Sequence, residues 1–434
     1  MSSDRTGKTW LERHPKKVIF LLLFLVVCGL ALVTEKLLAL KADGLRQPRG
    51  VKRSIKLREF EPGYADILLP PKEALTVSDT LVRRDYPIRV DDNGFIMPSK
   101  VHERPDLVLA FLGGSTTECI YDDENNRFPY LAGHLLEEKT GLKVNSYNAA
   151  KSGNNSLHSI NVFLNKVVEL KPDIVVIMHN INDLSILLYE KTYWNQHPTR
   201  SPLEVKKPGW KTVGKNLEET FRLARDLVIP NLYSVIHRLV HVESKFKADE
   251  FKQVRGRKIE VHQDQLVPEF TLNLQTFINI CRARGITPVL MTMPSRLKDD
   301  PDPLIARLMK GLEVQQGITY WKFKGAFDRF NQVIREVGAK NQVLVVDLAR
   351  EIPPEKEYMS DVAHYTPAGS RLVAQRIVAA LRPVVSSLNK RPSANYRLKW
   401  HRPLACDIHR LEACATKIQR RNFCTHAPGT PRYN

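Results

Sequence analysis

From residue 106 onward, short apolar runs alternate with stretches of helical periodicity, and few architectures accept such a pattern. Residues 107–112 (LVLAFL), 144–147, 174–178 (IVVIM), 288–293 (PVLMTM) and 343–346 (VLVV) read as continuous apolar runs between turn residues, five strands in chain order. A strand without polar alternation has no face to show to water, so it belongs in a parallel sheet covered on both sides. Between these runs lie helical patterns at 130–139, 157–170, 270–284 and 327–337, the second with Ser156 as its expected N-cap. A last helix is expected from Thr366-Pro367, a cap followed by proline at the first helical position, to about Leu381 ahead of Pro383. The order predicts an α/β fold: a doubly wound three-layer α/β/α sandwich with a central, mostly parallel five-stranded sheet, over residues 106–388.

Residues 195–260 break the alternation between the third and fourth strands. Leu217, Phe221, Ala224 and Val228 share one helical face, as do Leu232, Val235, Ile236 and Leu239, with Pro230 between the two groups. The expectation is an inserted helical pair, basic by +6, which either roofs the site, touches lipid or elaborates the sheet edge. Residues 41–105 read as a juxtamembrane linker and lead-in, in which Asp92-Asn93-Gly94 is a strong turn signal.

Residues 18–33 (VIFLLLFLVVCGLALV) carry no charge, and 18–40 supply 23 residues with one Glu35-Lys36 pair near an end. Spanning a bilayer takes about 17–25 residues, and charged groups near an end can reach the interface. No small-x-small cleavage site follows the run, and bulky Val26 and Val27 precede Cys28. A retained signal anchor is therefore expected over a cleaved signal peptide or a lipoprotein. The run is apolar on every face and has basic flanks, unlike a core helix. This predicts a single-pass membrane protein with its folded body outside the cytoplasm. Basic residues before and after the span nearly tie, so the side rests on less than the anchoring does.

The formal net charge of +19 sits mostly on the flanks: residues 1–58 carry +9 and 390–434 carry +8, leaving +2 between them. Nucleic-acid-binding domains show their basic charge on the folded body, so no nucleic-acid partner is expected. Residues 1–17 are read as a basic N-terminal tail and 389–434 as a basic, mobile C-terminal one. With 43% hydrophobic and 26% charged residues the chain is neither disordered, collagen-like nor polytopic. Six cysteines in 434 residues are too sparse for a disulfide scaffold. In the tail, Cys406, His409, Cys414, Cys424 and His426 match no common zinc spacing, so neither metal nor cofactor is expected.

In an open α/β sheet, functional residues gather past the carboxyl ends of the strands. The first end reads Leu112-Gly113-Gly114-Ser115-Thr116-Thr117-Glu118. Two glycines permit a sharp turn, and Ser115 would open a helix whose N–H groups and dipole favour a nearby anion. That is a place for a nucleophilic hydroxyl; the same Ser115-x-x-Glu118 spacing is also that of a capping box. The second end carries Gly153 in a loop able to aim a backbone N–H into the crevice. The third carries His179-Asn180-Ile181-Asn182-Asp183, where an amide could donate to the same oxyanion. After the fifth strand, Asp361 precedes His364 by three residues, a spacing that lets a carboxylate orient one ring nitrogen while the other faces a nucleophile.

Taken in this order, the blocks resemble those of the SGNH hydrolases, the GDSL-like esterase superfamily, over residues 107–379 apart from the insertion. The resemblance implies a flavodoxin-like fold, with Ser115 as nucleophile, His364 as general base and Asp361 as its orienter. It implies an oxyanion hole of the Ser115 N–H, the Gly153 N–H and the Asn182 side-chain amide. Gly114 stands where the family's name-giving Asp often stands. Asn180, preceded by His179, stands where the third block commonly has Gly. Both departures are expected beside the oxyanion. The implied function is a serine esterase cleaving an acyl group, foremost acetyl, from a carbohydrate or lipid. The alternative is an O-acyltransferase that moves such a group onto an envelope or secreted polysaccharide, which would need an acyl-donor partner protein. A non-catalytic binding protein with this fold is disfavoured because neither the Ser nor the His is lost. Cys119 is expected to pack behind the helix start and not to compete as nucleophile.

Overall fold

The structure is a computed structural model and describes residues 14–43, 55–195, 200–205 and 256–389. Helix α1 (Pro15–Asp43) is followed by β1 (Ile55–Lys56), β2 (Ala65–Leu68), α2 (Lys72–Thr76) and β3 (Tyr86–Arg89). The sandwich then begins with β4 (Leu107–Gly113), α3 (Ser115–Glu118), α4 (Phe128–Thr140), β5 (Val144–Asn148), α5 (Ser156–Asn165), β6 (Ile174–Met178) and α6 (Ile181–Glu190). It continues through β7 (Glu204–Val205), α7 (Gln263–Ala283), β8 (Thr287–Met291), α8 (Pro303–Gln316), α9 (Tyr320–Asn341), β9 (Leu344–Val346), α10 (Leu348–Glu351) and α11 (Pro367–Asn389). The chain divides into two compact units, Met1–Ala380 and Leu381–Asn434.

Strands β4, β5, β6, β8 and β9 form one five-stranded sheet in the order β5-β4-β6-β8-β9, parallel at every pairing. The order reverses at β4, as in a doubly wound flavodoxin-like sheet. Gly113, Met178, Met291 and Val346 stand in register at one edge, so the loops that follow these strands emerge together. Helices α5, α6, α7 and α9 pack on one another, while α4 packs on β5. Parallel β-α-β connections are right-handed as a rule, so connections running to opposite sides of β4 place their helices on opposite faces.

The strands differ from their sequence reading at β5. It is polar, yet buried throughout. Its side chains are spent on neighbouring backbone: Asn145 Oδ1 accepts from Val101 N and His102 N, Ser146 Oγ donates to Pro129 O in α4, and Asn148 Nδ2 donates to Thr117 O in α3. Buried polar groups are tolerated when each finds a partner.

Several helix ends also shift. Asn155, not Ser156, caps α5, through a reciprocal bond pair with His158, and the helix gives way to a 3₁₀ turn at Val167–Leu170. Both α7 and α9 begin earlier than their apolar stripes indicate. Helix α8 was not anticipated, although Asp302 caps it before a proline. Helix α11 starts where expected, with Thr366 Oγ1 accepting from Gly369 N at 3.1 Å. It runs on through Pro383 to Asn389. Val378, Leu381 and Val385 keep helical spacing across the proline, so the apolar stripe continues where one backbone bond is lost. The helical pair expected in 195–260 lies almost wholly outside the described residues, as do both basic tails.

The lead-in wraps the β5 edge. Strands β2 and β3 pair antiparallel, and Ile96 N donates to Asn148 O at 3.0 Å. Phe60, Ile88, Val90 and Ile96 form a small apolar cluster beneath. The expected turn is present: Asp91 Oδ1 accepts from Asn93 N and Phe95 N, both at 2.9 Å, and Gly94 takes a φ of +84°. Helix α1 is a single 29-residue helix, about 43 Å long at 1.5 Å per residue. Its segment Pro15–Leu37 is long and apolar enough to cross a membrane.

Candidate active site

Strand β4 delivers the first residue. Gly114 is extended, and its carbonyl accepts from Thr117 N at 3.1 Å and Glu118 N at 2.9 Å, so Ser115 opens α3. That helix is one turn long, so the dipole expected behind Ser115 is small. The capping box does not form. Gly114 occupies the cap position without a side-chain bond, and the buried Glu118 carboxylate accepts instead from Ser152 Oγ.

A turn after β9 delivers the next two. Ser360 N donates to His364 O at 2.8 Å, closing residues 360–364 on themselves. Asp361 Oδ1 accepts from Ala363 N and His364 N, both at 2.8 Å, which fixes the carboxylate before it meets the ring. Its other oxygen lies 2.7 Å from His364 Nδ1, and His364 Nε2 lies 2.8 Å from Ser115 Oγ. A carboxylate can only accept, so Nδ1 carries the proton and Nε2 presents its lone pair to the serine. The His364 side chain is 45% exposed against 17% for Asp361, which leaves the ring open to a substrate and the carboxylate sheltered.

Burial opposes ionisation of Asp361, yet the facing imidazole and the two backbone N–H groups hold its carboxyl below the ordinary value. Burial likewise opposes protonation of His364. The Asp361 carboxylate, with a smaller contribution from Glu118, overrides it and raises the ring. Cys119 lies buried in left-handed conformation, its thiol on Thr116 O at 3.2 Å, and burial pushes that thiol well up, away from the reactive thiolate.

Gly153 and Asn182 come from the loops after β5 and β6. Gly153 holds a φ of +76°, which suits glycine in this loop. Asn182, at the second position of α6, donates Nδ2–H to Asn154 O at 2.8 Å. A Cβ on Gly114 would collide with that same Asn182 nitrogen and lie 3.1 Å from Asn154 O. The Asn182 amide, the 153–154 turn and the backbone before Ser115 therefore meet. At this close approach a side chain at position 114 would press on Asn182.

The other departure does not lie beside the oxyanion, contrary to expectation. Asn180 is fully buried and points at α9, where Nδ2 donates to Phe327 O and Asn331 Oδ1, each at 3.0 Å. His179 is turned inward as well, with Nε2 2.7 Å from Ser159 Oγ.

Sequence reasoning assigned no role to three residues that brace this site. Arg296 donates its backbone N–H to Val362 O and Nη1 to Met359 O, held between Asp79 and Asp302. Asn154 receives Asn182. Arg58 donates to both Ser152 O and Asn154 Oδ1. Single arginines far away in sequence carry no local signal of such contacts. A cavity of about 700 Å³ adjoins Ser78 and Arg296 and is not lined by Ser115, Asp361 or His364. Among the described residues no group of three or more His, Cys, Asp or Glu could hold a metal ion; the tail cysteines lie outside them.

The model of a family described as the GDSL-like lipase/acylhydrolase family matches residues 111–372. No curated protein matches the chain. Among solved structures, the chain is similar to a lipase/acylhydrolase from Enterococcus faecalis, with 17% identity over 64% of this chain and 96% of that one and a TM-score of 0.37. It is likewise similar to an acetylxylan esterase from Geobacillus stearothermophilus, with 15% identity over 64% of this chain and 94% of that one and a TM-score of 0.37. Likeness at that level says nothing of substrate.

Proposed function

The chain belongs to the GDSL-like lipase/acylhydrolase family and is a hydrolase acting on ester bonds, and from that premise we propose a serine esterase built on Ser115, His364 and Asp361. The observation that carries the reading is the hydrogen-bonded line from Asp361 through His364 to Ser115 Oγ. Ser115 Oγ attacks the acyl carbon while its proton passes to His364 Nε2. Asp361 keeps the ring in the tautomer that can accept that proton and stabilises the imidazolium that results. The negative charge formed on the carbonyl oxygen is met by the Ser115 N–H, the Gly153 N–H and the Asn182 amide. One N–H of that amide is anchored on Asn154 O, which leaves the other for the oxyanion. The imidazolium returns its proton to the departing alkoxide. Water then attacks the acyl-enzyme by the reverse sequence, releasing the acid and restoring Ser115.

The substrate we propose is an acylated carbohydrate or lipid, with acetyl the first group to test. The apolar helix α1 is the proposed membrane anchor. An acyl-enzyme open to a sugar hydroxyl in place of water would give the O-acyltransferase reaction, which a donor partner would have to supply.

Labelling with a fluorophosphonate, followed by an acyl-ester panel with and without a glycan acceptor, tests the reading. Label on Ser115 with hydrolysis of short acyl esters is expected. Label absent, or wild-type turnover by Ser115→Ala, would overturn the mechanism. Acylated glycan as the main product would replace hydrolysis by transfer.

A further inference from the structure

We propose that Arg58 is a positioning residue for the oxyanion site, acting through the 151–154 loop; this rests on the reading of Ser115 as nucleophile. Arg58 lies outside the residues that the family model matches. Its guanidinium reaches both neighbours of Gly153: Nη2 donates to Ser152 O at 3.0 Å and Nε donates to Asn154 Oδ1 at 3.1 Å. Asn154 Nδ2 returns a bond to Arg58 O, also at 3.0 Å. The carbonyl of the same Asn154 receives the Asn182 amide at 2.8 Å. Two of the three proposed oxyanion donors, the Gly153 N–H and the Asn182 amide, are thus tied to one side chain. Arginine suits the task because its rigid fork presents two N–H groups at fixed spacing, where a lysine presents a single ammonium on a flexible stem.

The strap that carries Arg58 is anchored without it. Leu57 and Phe60 are buried, the latter against Ile88, Val90 and Ile96. Glu59 pairs with the buried Lys166 at 3.2 Å, and Lys151 Nζ sits over the Phe60 ring at 3.2 Å. Shortening Arg58 therefore leaves the strap in place and frees the Gly153 loop. The loop keeps its bonds from Lys151 N to Gly113 O and from Ser152 Oγ to Glu118, so it loosens and does not unfold. A brace of this kind acts on the oxyanion, which exists only during reaction. Its loss should lower kcat and spare KM.

The test uses the full-length protein in detergent with p-nitrophenyl acetate, active sites being counted by fluorophosphonate titration to end point. Removal of a whole oxyanion donor lowers kcat roughly 10²–10³-fold. Arg58→Ala, which displaces donors without removing them, should lower kcat per active site about 10- to 100-fold with KM within about threefold. Arg58→Lys should fall between, about three- to tenfold down, and it carries the test if Arg58→Ala does not fold. In an Asn182→Ala background the effect of Arg58→Ala should shrink, because the two share one device. Wild-type kcat per active site in Arg58→Lys and Arg58→Ala, with only a lowered Tm, would overturn the proposal. Full additivity with Asn182→Ala would overturn it as well. Ser115→Ala run alongside separates the two readings: if it retains turnover, the nucleophile assignment fails first.

Discussion

His364 faces one carboxylate and one hydroxyl, and its titration reports on both. Activity requires the neutral ring, so kcat/KM should rise with pH through an inflection above the ordinary histidine value of 6.5. Although burial lowers the ring, Asp361 outweighs it, so Asp361→Asn should move the inflection down and lower kcat, through loss of the correct tautomer. An inflection unmoved in Asp361→Asn would show that another group sets it. The same pair contributes to stability in a defined window. Asp361, depressed in the fold, contributes above its unfolded value of 3.8 and loses that contribution as pH falls through the folded value; His364, raised, contributes below 6.5 and loses it as pH rises through the folded value. A second prediction concerns Gly114. Because a Cβ there collides with Asn182 Nδ2, Gly114→Ala should lower kcat roughly 10²-fold, as if an oxyanion donor were removed. In an Asn182→Ala background, where only the 3.1 Å approach to Asn154 O remains, Gly114→Ala should cost far less; an equal loss in both backgrounds, measured by steady-state kinetics, would place the cause elsewhere.

The elements on the far side of the site share a buried polar layer that the sequence does not announce. Asp183 is fully buried and accepts from Ser156 N, Ser156 Oγ and Tyr193 OH. His158 Nδ1 accepts from Asn155 N at the start of α5, and Nε2 bonds Ser201 O. Burial pulls His158 and His179 each to about 3. Below about pH 6.5 the unfolded chain takes up a proton at each, and the fold does not, so stability is lost as pH falls. Asp183 works in the opposite sense, burial raising it to about 6, so the fold keeps a proton that the unfolded chain has released. Between about pH 4 and 6 the two histidines outweigh Asp183, so stability should fall as pH falls through this range. His158→Gln keeps an acceptor for Asn155 N and cannot protonate, so it should flatten that slope; urea midpoints across this range that still fall as in wild type would refute the assignment. This layer shows where sequence legibility stops. Apolar strands and capped helices are readable because each repeats a pattern along a few residues. The Ser115, Gly153, Asn182 and Asp361–His364 blocks are readable because each follows a strand end. Strand β5 and the helix after Ser156 are misread in detail, since their polar residues are satisfied by contacts distant in sequence. Arg58 and Arg296 are illegible for the same reason.

At the scale of the whole molecule, the lead-in joins the proposed anchor to the catalytic sheet. Strand β1 pairs with β7, and Arg58 follows two residues later on the Gly153 loop, so the described body of the enzyme already includes Ile55 and does not start at the first strand of the sandwich. Removing residues 1–43 deletes α1 and leaves every described contact of the site intact. Such a fragment should leave the membrane fraction for the soluble one and keep kcat within about twofold; a fragment that begins at Glu59 should also be soluble but lose the Arg58 brace. The whole chain should stay with membranes through a carbonate wash, because a helix of this length and apolarity is held by the hydrophobic effect and not by charge. The side on which the body lies is a separate prediction. Basic residues flank the span on both sides almost equally, so charge alone selects no orientation. The body is expected outside the cytoplasm, as for a retained signal anchor. Protease added to intact cells should then remove a carboxy-terminal tag. A tag protected until lysis would place the body in the cytoplasm, and the esters within its reach would be those of cytoplasmic lipids and metabolites in place of surface glycans.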